Sequence, residues 1–147
     1  MQIENYNMVI AVDFDGTIVT HRYPEIGAPV VGAIETLKCL HENGHKIFLW
    51  TMRGNKRYNG RDLLQEAVEY CEDNGITLYS ANQSPSQFSS SKKQYAQIYI
   101  DDAALGCPLI HPQNEWDRPY VDWQQVGLNL KKQELITDEQ FSKIWNV

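Results

Sequence analysis

The sequence predicts an α/β fold: a doubly wound parallel sheet with helices on both faces. Two observations carry this. Short apolar runs alternate along the chain with amphipathic helical patterns, in the order strand, helix, strand, helix, strand. Three of those strands also end abruptly in polar residues, namely Asp13/Asp15, Thr51/Arg53 and Asp101/Asp102. In open parallel sheets ligands bind outside the carboxyl ends of the strands, so these residues are expected to converge on one crevice.

The first strand is Met8 to Val12, a β-branched run of the kind that is buried on both faces. Asp13 and Asp15 follow at i and i+2, on the same side of an extended backbone. Two like charges that close repel unless a cation, a donor or a shared proton offsets them. Gly16 permits a backbone geometry that other residues resist, and Thr17 can tie the turn down with its hydroxyl. Residues 18–28 form a loop with His21 and Tyr23 near the crevice mouth. Pro29 opens a helical pattern that places Val30, Ile34, Leu37 and His41 on one face and stops at Asn43-Gly44.

His45 to Trp50 is the second strand, ending at Thr51-Met52-Arg53-Gly54. Gly60 to Asn74 is the second helix, with Leu63, Leu64, Ala67, Val68 and Cys71 inward. A weaker strand covers Ile76 to Tyr79. Ser80 to Ser91, rich in Ser, Asn, Gln and Pro, reads as a loop. Gln97 to Ile100 is the last core strand. Residues 107–147 read as an irregular, partly helical tail packed on the core, in which the tryptophans pack onto the sheet rather than bind ligand. It closes on a helix that Thr137-Asp138-Glu139-Gln140 opens as a capping box and that runs through Trp145.

The 147 residues suit a single domain. A net charge of −6 argues against unspecific binding along nucleic acid or an anionic membrane. No apolar run approaches the ~20 residues of a membrane span. The N-terminus lacks the basic start and apolar middle of a signal peptide. Cys39, Cys71 and Cys107 are odd in number, widely spaced and outside any zinc or redox motif. The expected setting is therefore reducing and cytoplasmic.

Paired acids at a strand end suit phosphoryl transfer. A carboxylate nucleophile can form an aspartyl-phosphate that water then opens. A hard, oxygen-seeking cation such as Mg²⁺ neutralises the phosphoryl oxygens, and a second acid protonates the leaving alcohol. Asp13-Phe14-Asp15-Gly16-Thr17 after an apolar strand resembles the first motif of the haloacid dehalogenase-like (HAD) phosphohydrolase superfamily. Thr51 is similar to its second motif, Lys92 or Lys93 to its third, and Asp101-Asp102 to its fourth. All four occur in the family's order, and the resemblance covers residues 8 to 106. The Gly32-Ala33-Ile34-Glu35 and Leu49-to-Gly54 stretches are also similar to a group of short HAD proteins from bacteria and phages.

The resemblance implies a Rossmann-like fold and Mg²⁺-dependent phosphoryl transfer. It implies Asp13 as nucleophile and metal ligand. Asp15 would be general acid and base, with its backbone carbonyl on the metal. Thr51 would donate to the phosphoryl group, and Lys93, with Lys92 the alternative, would neutralise it. Asp101 would bind the metal directly and Asp102 behind it or through water. About thirty residues separate Asp15 from the second strand, too few for a cap domain, so the chain resembles a capless member.

Gly16 and the basic cluster of Arg53, Lys56, Arg57 and Arg61 are the candidate substrate contacts, the cluster holding a second anionic group. The expected activity is hydrolysis of a small or exposed phosphomonoester, with a second copy of the chain able to cover the open site. A polynucleotide end phosphatase and a non-catalytic phospho-ligand-binding protein are the alternatives. Nucleic acid is disfavoured by the net charge.

Overall fold

A computed structural model describes residues 7–114 and 116–147. Four parallel strands form the central sheet: β1 (Val9–Val12), β2 (Lys46–Leu49), β3 (Leu78–Ala81) and β4 (Ile98–Ile100). Their order is β3-β2-β1-β4. A short antiparallel pair, β5 (Leu109–Ile110) and β6 (Tyr120–Val121), lies in the tail. The helices are α1 (Ala33–Glu42), α2 (Leu63–Asp73), α3 (Trp123–Lys132) and α4 (Asp138–Trp145). The expected α/β, Rossmann-like parallel sheet is therefore what the chain forms. No helix among the described residues is long and apolar enough to cross a membrane.

The expectation of helices on both faces is corrected. Ile10 and Val12 of β1, Ile47 and Leu49 of β2 and Ile100 of β4 share one apolar cluster. All four helices feed it, through Leu37 and Leu40, Ala67 and Cys71, Trp123 and Leu130, and Phe141. The alternate residues Val9, Ala11 and Phe48 are buried on the opposite face. There Phe48 stacks on Tyr79 at 5.6 Å and meets the edge of Phe88, which leans on Tyr95. Handedness explains the segregation. The steps β1-α1-β2 and β2-α2-β3 run the same way along the sheet, so right-handed crossovers place both helices on one side. The return from β3 to β4 crosses on the other side, and the chain makes it as a loop with an aromatic lining.

Several boundaries also shift. Pro29 does not open α1, because it pairs with Val19 in an antiparallel bridge while Val30 N–H bonds the Ile18 carbonyl. The helix starts only after Gly32, which holds a left-handed φ of 83°. Residues 60 and 61 precede α2, since Arg61 bridges Tyr58 and Asp62 caps the helix by accepting from Gln65 N–H. The capping box of Thr137 and Gln140 at α4 is present as expected.

The tail is more ordered than its sequence reads. Asp122 caps α3 through Gln124 and Gln125 N–H, and Trp123, Val126 and Leu130 at helical spacing are buried. Gly127 lets α3 and α4 approach closely, since a Cβ there would press on the Phe141 ring at 3.0 Å. Of the aromatic residues expected to dock the tail, Trp123 is fully buried, whereas Trp116 is 85% exposed and packs nothing down. Trp123 Nε1 donates to the Thr17 carbonyl at 2.7 Å, which pins the tail to the loop after β1. Trp123→Phe leaves that buried carbonyl unpaired and is expected to lower stability by about 1–3 kcal/mol, read from the urea midpoint. An unchanged midpoint would show that the tail is held by packing alone.

Candidate active site

Strand order decides which strand tips meet. β4 pairs with β1 in parallel, with Ile100 opposite Val12, and the Asp13 N–H continues the ladder to the Ile100 carbonyl at 2.9 Å. Asp13 and Asp101 thus leave adjacent strands at the same level. This is the point where the sheet's winding reverses, the usual position for a ligand crevice. Carboxylate oxygens of Asp13, Asp101 and Asp102 all lie within 4.8 Å of one another. Two full charges at that spacing repel by on the order of 3 kcal/mol at an effective dielectric near 20. The carboxyl of Asp13 responds: burial first, then the facing Asp102 side chain and the charge of Asp101, push it up to about 8. Burial and the neighbouring Asp102 also raise Asp101.

The turn after β1 is tied to the turn after β4 through Thr17. Its fully buried hydroxyl accepts from Asp102 N–H at 3.2 Å and lies 3.5 Å from Asp13 Oδ2. Gly16 has a left-handed φ of 80°, and a Cβ on it would overlap His21 Nε2 and Asp102 Oδ2. Glycine is therefore required here for space as well as for backbone freedom. His21 takes up that space, with Nε2 2.9 Å from Asp102 Oδ2. The sequence put His21 only near the crevice mouth; the structure seats it on the acidic group.

Asp15 and Arg53 are placed differently from expectation. Arg53 is fully buried and is no substrate contact. Its Nε and Nη2 donate to Asp15 Oδ2 and Oδ1, both at 2.8 Å. The guanidinium also faces the Phe14 and Tyr23 rings. A basic residue just past a strand end reads as a solvent-facing anion binder, but these two rings and Asp15 supply a desolvated socket that arginine's planar fork fits. The Asp15 carboxylate is thus not among the three that cluster. Its backbone carbonyl accepts no hydrogen bond from the described residues and stays available as an oxygen ligand.

The rest of the basic cluster divides. Arg61 is held by Glu25 and Glu66, while Lys56 and Arg57 are exposed. Thr51 follows β2, its hydroxyl accepting from Arg53 N–H at 3.1 Å and its N–H bonding Asn82 Oδ1 at 2.9 Å. Asn82 also bonds the Leu49 and Arg53 backbones and sits at φ 54°, so it fixes the β2 tip. Its signal in the sequence, an asparagine in a polar loop, was indistinguishable from ordinary turn chemistry. Lys92 and Lys93 are exposed and make no ion pair with the three carboxylates. The Lys93 ammonium instead lies over the Tyr99 ring, 5.3 Å from its centre. The structure therefore does not deliver the expected lysine contact.

The donor set suits a hard divalent cation. All three side chains offer carboxylate oxygen, they converge, and no basic side chain except His21 pairs with them among the described residues. Such an ion would favour the ionised form of Asp13. No family model matches the chain, and no curated protein matches it. Among solved structures it is similar to a conserved protein coded by a locus from Bacteroides thetaiotaomicron. The two are 36% identical, the match covers 90% of this chain and 95% of that one, and the TM-score is 0.62.

The raised Asp13 sets a pH dependence. In the unfolded chain this carboxyl titrates in the ordinary range, so between there and about 8 the native state holds the extra proton. Its contribution to stability is complete at low pH and is lost as pH rises through the folded value. The metal-free protein is expected to show a Tm contribution that falls from about pH 4 to about pH 8 and levels off above it. Added Mg²⁺ should restore more at the alkaline end, and Asp13→Asn should flatten the profile. A wild-type Tm independent of pH across that range would contradict the clustering of charge.

Proposed function

We propose that this chain, which belongs to the same family as the conserved Bacteroides thetaiotaomicron protein, is a capless HAD-type phosphohydrolase that requires a divalent cation, Mg²⁺ by preference. The observation that carries the reading is the meeting of Asp13, Asp101 and Asp102 at the reversal point of the sheet. A protein that only bound phosphate would be better served by donors than by three carboxylates that repel it. The same residues with a cation between them would turn that repulsion into a phosphoryl-binding site. Asp13, Asp101 and the Asp15 carbonyl would hold the ion, with Asp102 behind them.

Asp13 is the nucleophile in this reading. It leaves β1, an inner strand of the sheet, and the ladder bond to Ile100 fixes its backbone. One carboxylate oxygen attacks phosphorus in line with the leaving group, and an aspartyl-phosphate forms. A cation held there would supply charge neutralisation for the phosphoryl oxygens. Thr17 keeps the Asp13 carboxylate and the Asp102 backbone in register, and His21 fixes the Asp102 carboxylate at one oxygen. Thr51 stands at the adjacent strand tip as the donor to the phosphoryl group. Arg53 has no direct part, because it is sealed beneath the site. Lys93 is left out of the reaction on its position over Tyr99.

The reading is tested by turnover of an aryl phosphate with and without Mg²⁺. Wild type is expected to hydrolyse it only with the cation, and Asp13→Asn to lose about 10³-fold or more in kcat, a loss of about 4 kcal/mol in transition-state stabilisation. Turnover that survives in Asp13→Asn, or none in wild type across a panel of phosphoesters, would remove the proposed activity.

A further inference from the structure

The second acid at the β1 tip is fully engaged before any substrate arrives. Both Asp15 oxygens accept from Arg53, at 2.8 Å each. The same guanidinium donates from Nη1 to the Pro24 carbonyl at 3.2 Å and from Nη2 to the Glu25 carbonyl at 2.9 Å. Four of its five N–H groups are thus placed. The side chain is 0% exposed and lies 5.1 Å from the Phe14 ring centre and 5.3 Å from that of Tyr23. Asp15 cannot swing toward a leaving group without leaving this buried cation unpaired, which is strongly unfavourable. The acid that the resemblance assigns to the leaving alcohol is therefore a structural anion, a partner for Arg53.

We infer that the site takes phosphoryl groups carried on a weakly basic oxygen, the chemical class of acyl phosphates and phosphoric anhydrides, in preference to alkyl phosphomonoesters. This rests on the phosphohydrolase reading above. An Asp13 oxygen forms the new bond to phosphorus as the bond from phosphorus to the leaving oxygen breaks. The electron pair departs with that oxygen, which enters solvent as a carboxylate or phosphate anion and needs no proton. Water then attacks phosphorus, the bond from phosphorus to Asp13 breaks with its electron pair returning to the carboxylate, and both protons of the water leave on inorganic phosphate. An alkoxide leaving group fails in the first step, because it must be protonated as it departs.

The test uses the wild-type protein with Mg²⁺ and three sets of substrates: aryl phosphates graded in phenol acidity, acetyl phosphate with inorganic pyrophosphate, and an alkyl phosphate such as glycerol phosphate. Asp13→Asn is run beside it as the control for site-dependent turnover. The expected result is a steep fall in kcat/KM with leaving-group basicity, the alkyl ester trailing by about 10²–10⁴-fold, the range a general acid normally supplies. A solvent deuterium effect near unity on the first step should accompany it. Turnover that depends on Asp13 yet is flat across the aryl series, with the alkyl ester hydrolysed as well as acetyl phosphate, overturns this inference and leaves the phosphohydrolase reading standing. Absence of any turnover that depends on Asp13 overturns both.

Discussion

The pairing of β4 with β1 is the constraint on which the rest depends. Had the last core strand been added beyond β3, two strands would separate Asp101 and Asp102 from Asp13. By crossing back to the other side of β1, the chain sets the two acidic strand ends next to each other, with a ladder bond from Asp13 N–H to the Ile100 carbonyl holding them level. The loop that makes this crossing has to cover the second face of the sheet, and it does so with Phe88 and Tyr95 rather than a helix. The site and the asymmetry of the fold are two results of the same connection.

Charge at the strand ends falls into two compartments. In one, Asp15 is neutralised by Arg53 inside an aromatic socket, and Arg61 continues the set of ion pairs to Glu25 and Glu66. In the other, three carboxylates face each other, and among the described residues His21 is the one basic side chain that pairs with them. Neighbouring residues on one strand tip, Asp13 and Asp15, thus serve opposite ends: one is fully matched and helps hold the fold, the other is left unmatched at a cost in stability. Strain of this second kind is commonly stored at sites that bind a ligand of opposite charge. Thr17 and Trp123 join this second compartment to the tail, since the Thr17 hydroxyl contacts Asp13 and Asp102 and its carbonyl accepts from Trp123.

The strand tips were legible in the sequence because a strand buried on both faces is apolar without alternation and ends sharply where the backbone leaves the core. Asp13, Thr51 and Asp101 are marked in this way, and the meeting of Asp13 with Asp101 follows from the parallel pairing of β4 with β1. The placing of helices on both faces was an over-reading, since β1-α1-β2-α2-β3 already implies one side by handedness. Arg53 was misread because its burial depends on Phe14 and Tyr23, thirty or more positions earlier, and nothing local distinguishes it from exposed Lys56 and Arg57. Helix α3 was passed over although Asp122 and the 123, 126, 130 spacing announce it, because Gln124, Gln125, Gly127 and Asn129 dilute the pattern. The lysine ahead of β4 was assigned by family order alone, and order does not fix where a long flexible side chain settles.

The most direct measurement is a crystal grown or soaked with Mn²⁺ in place of Mg²⁺, read by anomalous scattering. If the carboxylates of separate strands share one cation, a single strong peak lies between Asp13 and Asp101, within coordinating distance of both, and it vanishes in Asp101→Asn. A map with no peak there at saturating Mn²⁺, or a peak that persists unchanged without Asp101, would contradict the metal site and the phosphoryl chemistry built on it.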